Sequence, residues 1–70
     1  MEPVPLDCGI LRSVSYRDTL NRLEVELRSG GRYRYYGVPR YEYELMLRAA
    51  SPAEYLAQVI RPAFRYDWLG

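Results

Sequence analysis

The sequence predicts a small α+β domain, a three- to four-stranded antiparallel meander covered on one face by two helices. Three patterns predict it: apolar–polar alternation on both sides of a glycine turn, helical apolar spacing after Gly-Val-Pro, and a Ser-Pro-Ala-Glu helix start. The 70 residues suffice for a single domain. We expect residues 1–9, which contain two prolines, to form an extended arm, and residues 10–70 to form the domain.

The second predicted strand is the clearest element of the sheet. In residues 22–28, Leu23, Val25 and Leu27 point to one side and charged residues to the other, as in a strand with one buried face. Residues 10–16 also form a predicted strand, but an arginine shares the parity of its apolar residues. Which of its faces is buried therefore stays open.

The Ser-Gly-Gly turn decides which residues of the central hairpin face inward. A two-residue loop would pair Leu27 with an arginine and bury a charge. A three-residue loop over 29–31 pairs Leu27 with Tyr33 and Val25 with Tyr35, and it places a glycine at the left-handed bulge position. We therefore predict that both tyrosines are core residues.

The same register leaves polar side chains on the outer face of the hairpin. Arg32, Arg34 and Tyr36 lie there, with Glu26 opposite Arg34 and Glu24 opposite Tyr36. The alternation of arginine and tyrosine is thus interpreted as two faces of one strand. The tyrosines at 33 and 35 point inward, and the arginines point outward.

Two helices follow the hairpin. The first is predicted from about residue 39 to about residue 50, with proline in its first turn. The second spans about 51–60, with Ser51 as the N-cap and Glu54 completing a capping box. An Arg-Pro pair at 61–62 is expected to stop it. The predicted buried set is Leu23, Val25, Leu27, Tyr33, Tyr35, Tyr43, Met46, Leu47, Tyr55, Leu56, Val59 and Ile60.

The last eight residues alternate aromatic and charged side chains. They predict a short fourth strand with Phe64, Tyr66 and Trp68 on one face. Two roles are open to these rings. They can pack into the domain, or they can form an aromatic surface on which a partner protein docks.

Composition narrows the classes of function. The net charge is +1, all ten basic residues are arginine, and the chain has one cysteine, Cys8, and no histidine. A single thiol forms no internal disulfide, and without histidine the usual zinc sites and the commonest general base are missing. No apolar run is long enough for a membrane span, and no secretory signal is recognisable. We expect a cytoplasmic, non-enzymatic protein without cofactor, metal, membrane contact or small-molecule substrate.

The order of motifs from "SYRD" through "LEVELRSGGRYRYYGVP" to "IRP" resembles the lysyl-tRNA-synthetase C-terminal (KTSC) domain family of bacteria. The family hallmark is Y-x-Y, here Tyr33-Arg34-Tyr35, between a hairpin glycine and Gly-Val-Pro. The resemblance covers nearly the whole chain, from about residue 8 to Ile60 and beyond. Because such domains are appended to some lysyl-tRNA synthetases, the resemblance implies RNA as a ligand.

The second predicted helix departs from the family pattern. Pro52 and Ala53 stand where Lys-Gly is common, and residues 56–59 stand where an asparagine and further polar residues are usual. A binding site built from those polar groups is therefore not expected in this chain. Tyr55 and Arg61 do match the pattern, and Arg61 is carried over as a candidate residue.

Two functional hypotheses follow. The first is a nucleic-acid-binding module, with RNA as its ligand, in which arginines contact phosphates and a tyrosine stacks on a base. Its predicted residues are Arg28, Arg32, Arg34, Tyr36, Arg61 and Arg65. The alternative is a protein–protein interaction module that docks onto a larger complex or self-associates. Its predicted residues are Phe64, Tyr66 and Trp68.

Overall fold

The computed structural model describes the backbone of residues 4–8 and 10–70, and side chains from residue 10 onward. Within these residues, five antiparallel strands form one sheet in chain order, and each pairs only with its neighbours in sequence. The predicted meander, covered on one face by helices, is confirmed. The strands are β1 (Val4–Cys8), β2 (Leu11–Arg17), β3 (Arg22–Leu27), β4 (Arg32–Tyr35) and β5 (Tyr66–Trp68).

Strand β1 is an edge strand within the segment expected to be an extended arm. It pairs with β2 through Val4 opposite Val14 and Cys8 opposite Leu11. Proline is tolerated at the edge of a sheet, where one side of the strand needs no ladder partner, and Pro5 lies there. The sheet therefore has one strand more than the sequence patterns predict. The rest of the 1–9 arm prediction, residues 1–3 and 9, lies outside the described residues.

A β-bulge resolves the inward face of β2. The register shifts between Leu11 and Ser13, so Leu11 and Val14, three residues apart, are both buried. Tyr16 follows Val14 on the inner face, whereas Ile10 is 64% exposed. Simple alternation could not settle this strand because the bulge inserts one extra residue into it.

The β3–β4 hairpin keeps the predicted faces but has a different register. Val25 pairs with Tyr33 and Glu24 with Arg34, two residues away from the predicted partners. The three-residue loop is 28–30: the Gly30 N–H donates to Leu27 O over 2.9 Å, and Gly30 has φ 102°. Gly30, and not Gly31, thus takes the left-handed bulge position. Moving the loop by one residue shifts the pairing by two, so the predicted partners are wrong while every side chain stays on its predicted face.

The two helical segments follow β4. Helix α1 (Arg40–Arg48) begins after Pro39. The second segment consists of α2 (Pro52–Tyr55), a π-helical turn (Leu56–Ile60) and α3 (Arg61–Ala63). The Ser51 hydroxyl caps α2 by accepting from the Glu54 N–H over 3.3 Å, whereas the Glu54 carboxylate accepts from Gln58.

Pro62 does not stop the second helical segment, contrary to the sequence-based expectation. A proline in a helix lacks an N–H and its ring collides with the carbonyl four residues earlier. The wider turn just before it relieves that conflict, because the Arg61 N–H donates to the Leu56 carbonyl five residues earlier. The wider turn also leaves Val59, predicted to be buried, 37% exposed.

The core lies between the inner face of the sheet and the helices. Besides predicted members, it contains four residues that the sequence patterns did not assign to it: Leu11, Val14, Tyr16 and Val38. Predicted members that are only half-buried are Leu27, Tyr33, Leu47 and Tyr55. The Tyr16 hydroxyl donates to the Val38 carbonyl over 2.6 Å, and the Tyr16 ring stacks on Tyr43 with centroids 5.0 Å apart. Within the described ranges, no helix has the length and apolar character needed to cross a bilayer.

Candidate nucleic-acid interface

The outer face of the sheet carries three rows of side chains that run across the strands. Residues directly opposite each other in an antiparallel pair point to the same face, so the register defines each row. The arginine row consists of Arg17, Arg22, Tyr36 and Arg65. The Glu24 row consists of Ser15, Glu24, Arg34 and Asp67. The Glu26 row consists of Ser13, Glu26 and Arg32.

Tyr36 is the centre of the arginine row. The guanidinium carbon of Arg22 lies 5.6 Å from the ring centroid of Tyr36, and that of Arg65 lies 5.8 Å from it. The Tyr36 N–H donates to the Arg65 carbonyl over 2.8 Å, which joins the two strands there. The Tyr36 hydroxyl donates to Asp67 Oδ2 over 2.7 Å. The ring is therefore fixed at its hydroxyl end, with two cations held beside it by cation–π attraction.

Two features of the arginine row are unfavourable for the isolated domain. Arg17 stands directly opposite Arg22, and like charges in that position repel. The Nε atom of Arg22 is buried and has no hydrogen-bond partner among the described residues. A buried donor without a partner destabilises a protein by roughly 1–3 kcal/mol. An anion bound at this row would relieve the repulsion between the two arginines.

The neighbouring row is internally neutralised to a large extent. The Arg34 Nε donates to Glu24 Oε2 over 2.9 Å, and about a third or less of each side chain is exposed. That hydrogen bond raises the pKa of Arg34 above its usual value. In the Glu26 row, the Ser13 hydroxyl donates to Glu26 Oε1 over 3.3 Å. Arg34 is thus engaged by a carboxylate, unlike the arginines beside Tyr36.

Four of the six residues predicted to bind nucleic acid lie on the outer face, with Arg32 in the Glu26 row, Arg34 in the Glu24 row, and Tyr36 and Arg65 in the arginine row. Arg28 lies in the hairpin loop, at the other end of the sheet from Tyr36. Arg61 lies on the opposite, helix-covered face, 5.0 Å from the Tyr66 ring centroid. Its expected position beside the hairpin arginines is corrected accordingly, because the helical segment continues through residue 61.

Arg61 belongs to an aromatic cluster on the inner face. Its Nε donates to the Tyr66 hydroxyl over 3.2 Å, and this hydrogen bond raises the pKa of Arg61 above its usual value. The same guanidinium lies 5.6 Å from the centroid of Tyr33. Arg61 therefore reinforces the packing of the last strand against β4.

Sequence reasoning missed Arg17 and Arg22. They stand at the facing ends of β2 and β3, on either side of the tight turn 18–21. The signal was available: a short turn between two strands places the residues that flank it opposite each other. It was not used because the inward face of β2 was undecided.

The predicted tail strand is present, and its rings contribute unequally to the surface. Tyr66 pairs with Tyr35 and Trp68 with Tyr33, so both rings lie on the inner side of the sheet. Phe64 and Tyr66 are half-buried and packed against the core. Trp68 is 59% exposed although its ring contacts Tyr33 with centroids 4.9 Å apart. Only Trp68 of the three thus offers a large free surface.

The chemistry available at the outer face is that of anion binding. Three guanidinium groups and one aromatic ring lie along one line, and each guanidinium can bind a phosphate through paired N–H groups. Among the described residues, no group of three or more His, Cys, Asp or Glu side chains is placed to hold a metal ion.

Comparisons with known proteins agree with this architecture. A protein of Stutzerimonas stutzeri (strain A1501), named an uncharacterized protein, is 39% identical over 97% of this chain and 96% of its own length. The crystal structure of a KTSC domain protein from Yersinia pestis matches 99% of this chain and 97% of that chain. Its TM-score is 0.91 at 26% identity. The KTSC domain family model matches residues 9–64. This chain therefore belongs to the KTSC domain family.

Proposed function

We propose that this protein is a nucleic-acid-binding module, with RNA as its ligand, that contacts the phosphodiester backbone through the outer face of its sheet. The arginine row is the observation that carries the proposal. It places three cations along one line, beside an aromatic ring, on the sheet face that the helices leave open. Proteins that bind single strands combine these same two elements, cationic side chains and stacking rings.

The near-neutral net charge of +1 is compatible with this role because the charges are unevenly distributed. At about 0.1 M salt, exposed charges act over a Debye length of about 10 Å. A phosphate at Tyr36 is therefore influenced mainly by Arg22 and Arg65, which attract it, and by the Asp67 carboxylate on the Tyr36 hydroxyl, which opposes them, and only weakly by the helical face. The local excess of arginine determines the attraction.

The test is fluorescence anisotropy with a labelled oligouridylate, in which Arg22→Glu with Arg65→Glu is compared with the unmodified protein. We expect saturable binding at low salt and at least about a tenfold loss in the variant, since two phosphate contacts become repulsive. The matched control is Arg12→Glu with Arg48→Glu. It makes the same change in net charge at two exposed positions outside the arginine row.

Two results would refute the proposal. One is no saturable binding of any nucleic acid by the unmodified protein at low salt. The other is an equal loss of affinity in the Arg22/Arg65 variant and in the Arg12/Arg48 control, because binding would then depend on the net charge of the protein and not on the arginine row. Arg32→Glu with Arg34→Glu provides a further comparison. We expect it to weaken binding less than the Arg22/Arg65 pair does, because Glu24 already engages Arg34.

The alternative proposal, a protein interface at the tail, is favoured by one observation. Trp68 is 59% exposed, and Ile10, at the hairpin end of the sheet, is 64% exposed. Light scattering coupled to gel filtration tests self-association through this surface, with Trp68→Ala as the variant. If the protein is monomeric at every concentration, it does not self-associate. If Trp68→Ala still forms a dimer, the surface around Trp68 is not the dimer interface.

A further inference from the structure

We infer that the ligand of the arginine row is one single strand of nucleic acid that crosses the β-strands and is held by about three phosphates. This inference rests on the proposed function and adds the form of the ligand, its path and the size of the site. Two observations carry it: the length of the row and the charges of the rows beside it.

The length of the row sets the number of nucleotides in contact. Adjacent strands are about 4.8 Å apart, so a row from β2 to the end of β5 spans about 14 Å. Phosphates of a stacked strand advance about 3.4 Å per nucleotide, and those of an unstacked strand advance farther. A span of about 14 Å thus covers about four intervals, or five phosphates, of a stacked strand and fewer phosphates of an unstacked strand, and the three guanidinium groups of the row can engage about three of them.

The neighbouring rows disfavour a duplex. Positions two residues apart on a strand are about 7 Å apart, so the Glu24 row lies about 7 Å from the arginine row and the Glu26 row about 14 Å from it. The two backbones of B-form DNA are separated by about 6 Å across the minor groove and about 12 Å across the major groove. A second backbone on the sheet side of the arginine row would therefore lie over one of these two rows.

Those rows do not attract a second backbone. The Glu24 row holds two carboxylates, Glu24 and Asp67, and a single arginine that is already paired. The Glu26 row holds one carboxylate and one arginine. The arginine row, by contrast, contains no acidic residue among those described, and the nearby Asp18 is paired with Arg40 over 2.6 Å. A single strand along the arginine row avoids the repulsion that a duplex would meet.

The binding mode differs from recognition of bases by hydrogen bonds. The Tyr36 hydroxyl is occupied by Asp67, and the ring is the only aromatic side chain in the row. The guanidinium groups of Arg22 and Arg65 already lie over this ring, so a base that stacks on it takes the place of one of them. Such stacking tolerates every base because each base has a π face. We therefore expect little dependence on sequence and a dominant dependence on phosphate number.

The first test uses the unmodified protein and labelled oligouridylates of about 2 to 12 nucleotides. We expect the affinity per site to rise up to about four nucleotides and then to change little. A B-form DNA duplex of the same length is expected to bind at least about tenfold more weakly than a single strand. If the duplex binds as well as the single strand, or if the affinity keeps rising steeply beyond about eight nucleotides, the inference is wrong.

The second test is the salt dependence of binding. For about three phosphates on a single strand, log K is expected to fall with log salt concentration with a slope of about −2, or about 0.7 per contact. Arg65→Gln is expected to reduce the slope by about 0.7, and the matched Arg48→Gln is expected to leave it unchanged. A slope steeper than about −4 would contradict a site of this size.

Different results would contradict the proposed function and the single-strand site. Absence of saturable binding to every probe removes the proposed function itself. If binding is saturable but prefers a duplex, or involves many phosphates, the protein still binds nucleic acid, and only the inference of a single-strand site of about three phosphates is wrong. Circular dichroism of each variant establishes that a lost interaction does not come from a lost fold.

Discussion

The ring of Trp68 lies directly over Gly31, in the space that a side chain at residue 31 would fill. An ideal Cβ at Gly31 would lie 2.3 Å from Cη2 and 2.6 Å from Cζ3 of the indole. The glycine is buried although it stands at the start of a strand, and its backbone does not have the positive φ of Gly30. The two glycines of the hairpin therefore serve different purposes, one for the turn and one for contact with the tail.

Gly31→Ala is expected to displace the Trp68 ring and to lower the free energy of unfolding by about 1–2 kcal/mol, as for overpacking. Trp68 is the single tryptophan, so its fluorescence reports the displacement directly. In a Trp68→Ala background the same substitution should have an effect near zero, which gives a coupling of about 1–2 kcal/mol. Equal costs in the two backgrounds, measured by urea unfolding, would show that the ring contact is not the reason for the glycine.

Tyr16→Phe is expected to destabilise the protein by about 1–2 kcal/mol. The substitution removes the hydroxyl that donates to the Val38 carbonyl over 2.6 Å, and it leaves that acceptor unpaired. Urea unfolding followed by circular dichroism measures the change. The matched control is Tyr41→Phe, at a side chain that is 61% exposed, where we expect a change below about 0.5 kcal/mol. Similar losses in both variants would refute the structural role of the Tyr16 hydroxyl.

Removing negative charge from the Glu24 row is expected to strengthen nucleic-acid binding. Glu24→Gln with Asp67→Asn keeps an oxygen that can accept from Tyr36 but deletes two carboxylates near the arginine row. We expect severalfold tighter binding of a single strand and a larger gain for a duplex, because the second backbone no longer meets two carboxylates. Anisotropy at a fixed salt concentration is the measurement. Unchanged or weaker binding would mean that this face does not approach phosphates.

Alkaline pH is expected to destabilise the protein, in part through Tyr55. Its hydroxyl donates to Glu42 Oε1 over 2.6 Å, and this hydrogen bond, more than burial, raises the pKa of Tyr55 from 10.0 to about 12. Because the folded state holds the proton more tightly, the stabilisation is complete below pH 10 and is lost as the pH rises towards 12.

Unfolding measured between about pH 8 and 11 tests this, with Tyr55→Phe as the variant. The variant is expected to lose stability less steeply with pH than the unmodified protein. Part of the dependence should remain, since burial also raises the pKa of Tyr35 and Tyr43. Identical pH profiles for the two proteins would contradict the role assigned to the Tyr55–Glu42 hydrogen bond.

Sequence patterns predicted the faces of this fold better than its pairings. Alternation placed Leu23 and Val25 inside because burying an arginine is so unfavourable that only one parity is possible. The same rule cannot distinguish registers that differ by two residues, so the choice between Gly30 and Gly31 as the bulge residue decided the pairing. Gly31 instead lies under the Trp68 ring, which is 37 positions away in the chain, and a local pattern cannot reveal that contact.

The candidate site was predicted in part. Tyr36 and Arg65 were identified because they belong to clear alternating segments, and the structure places them side by side. Arg22 was missed because its role depends on Arg17, which stands opposite it. The bulge in β2 breaks the alternation of that strand, so a period-two pattern could not show that Arg17 faces outward. Arg61 was included because it matches the family pattern, and local patterns do not predict the π-helical turn that precedes it on the helix-covered face.

The order of strands in the sheet has a kinetic consequence. Each strand pairs with the strand that precedes or follows it in the chain, and among the described residues only the β4–β5 pair is separated by α-helices. Closing a short loop loses little chain entropy, and topologies rich in near-sequence contacts cross lower folding barriers. The β2–β3–β4 unit is therefore expected to form early in folding. Docking of β5, which must wait for both helices, then completes the outer row that ends at Arg65.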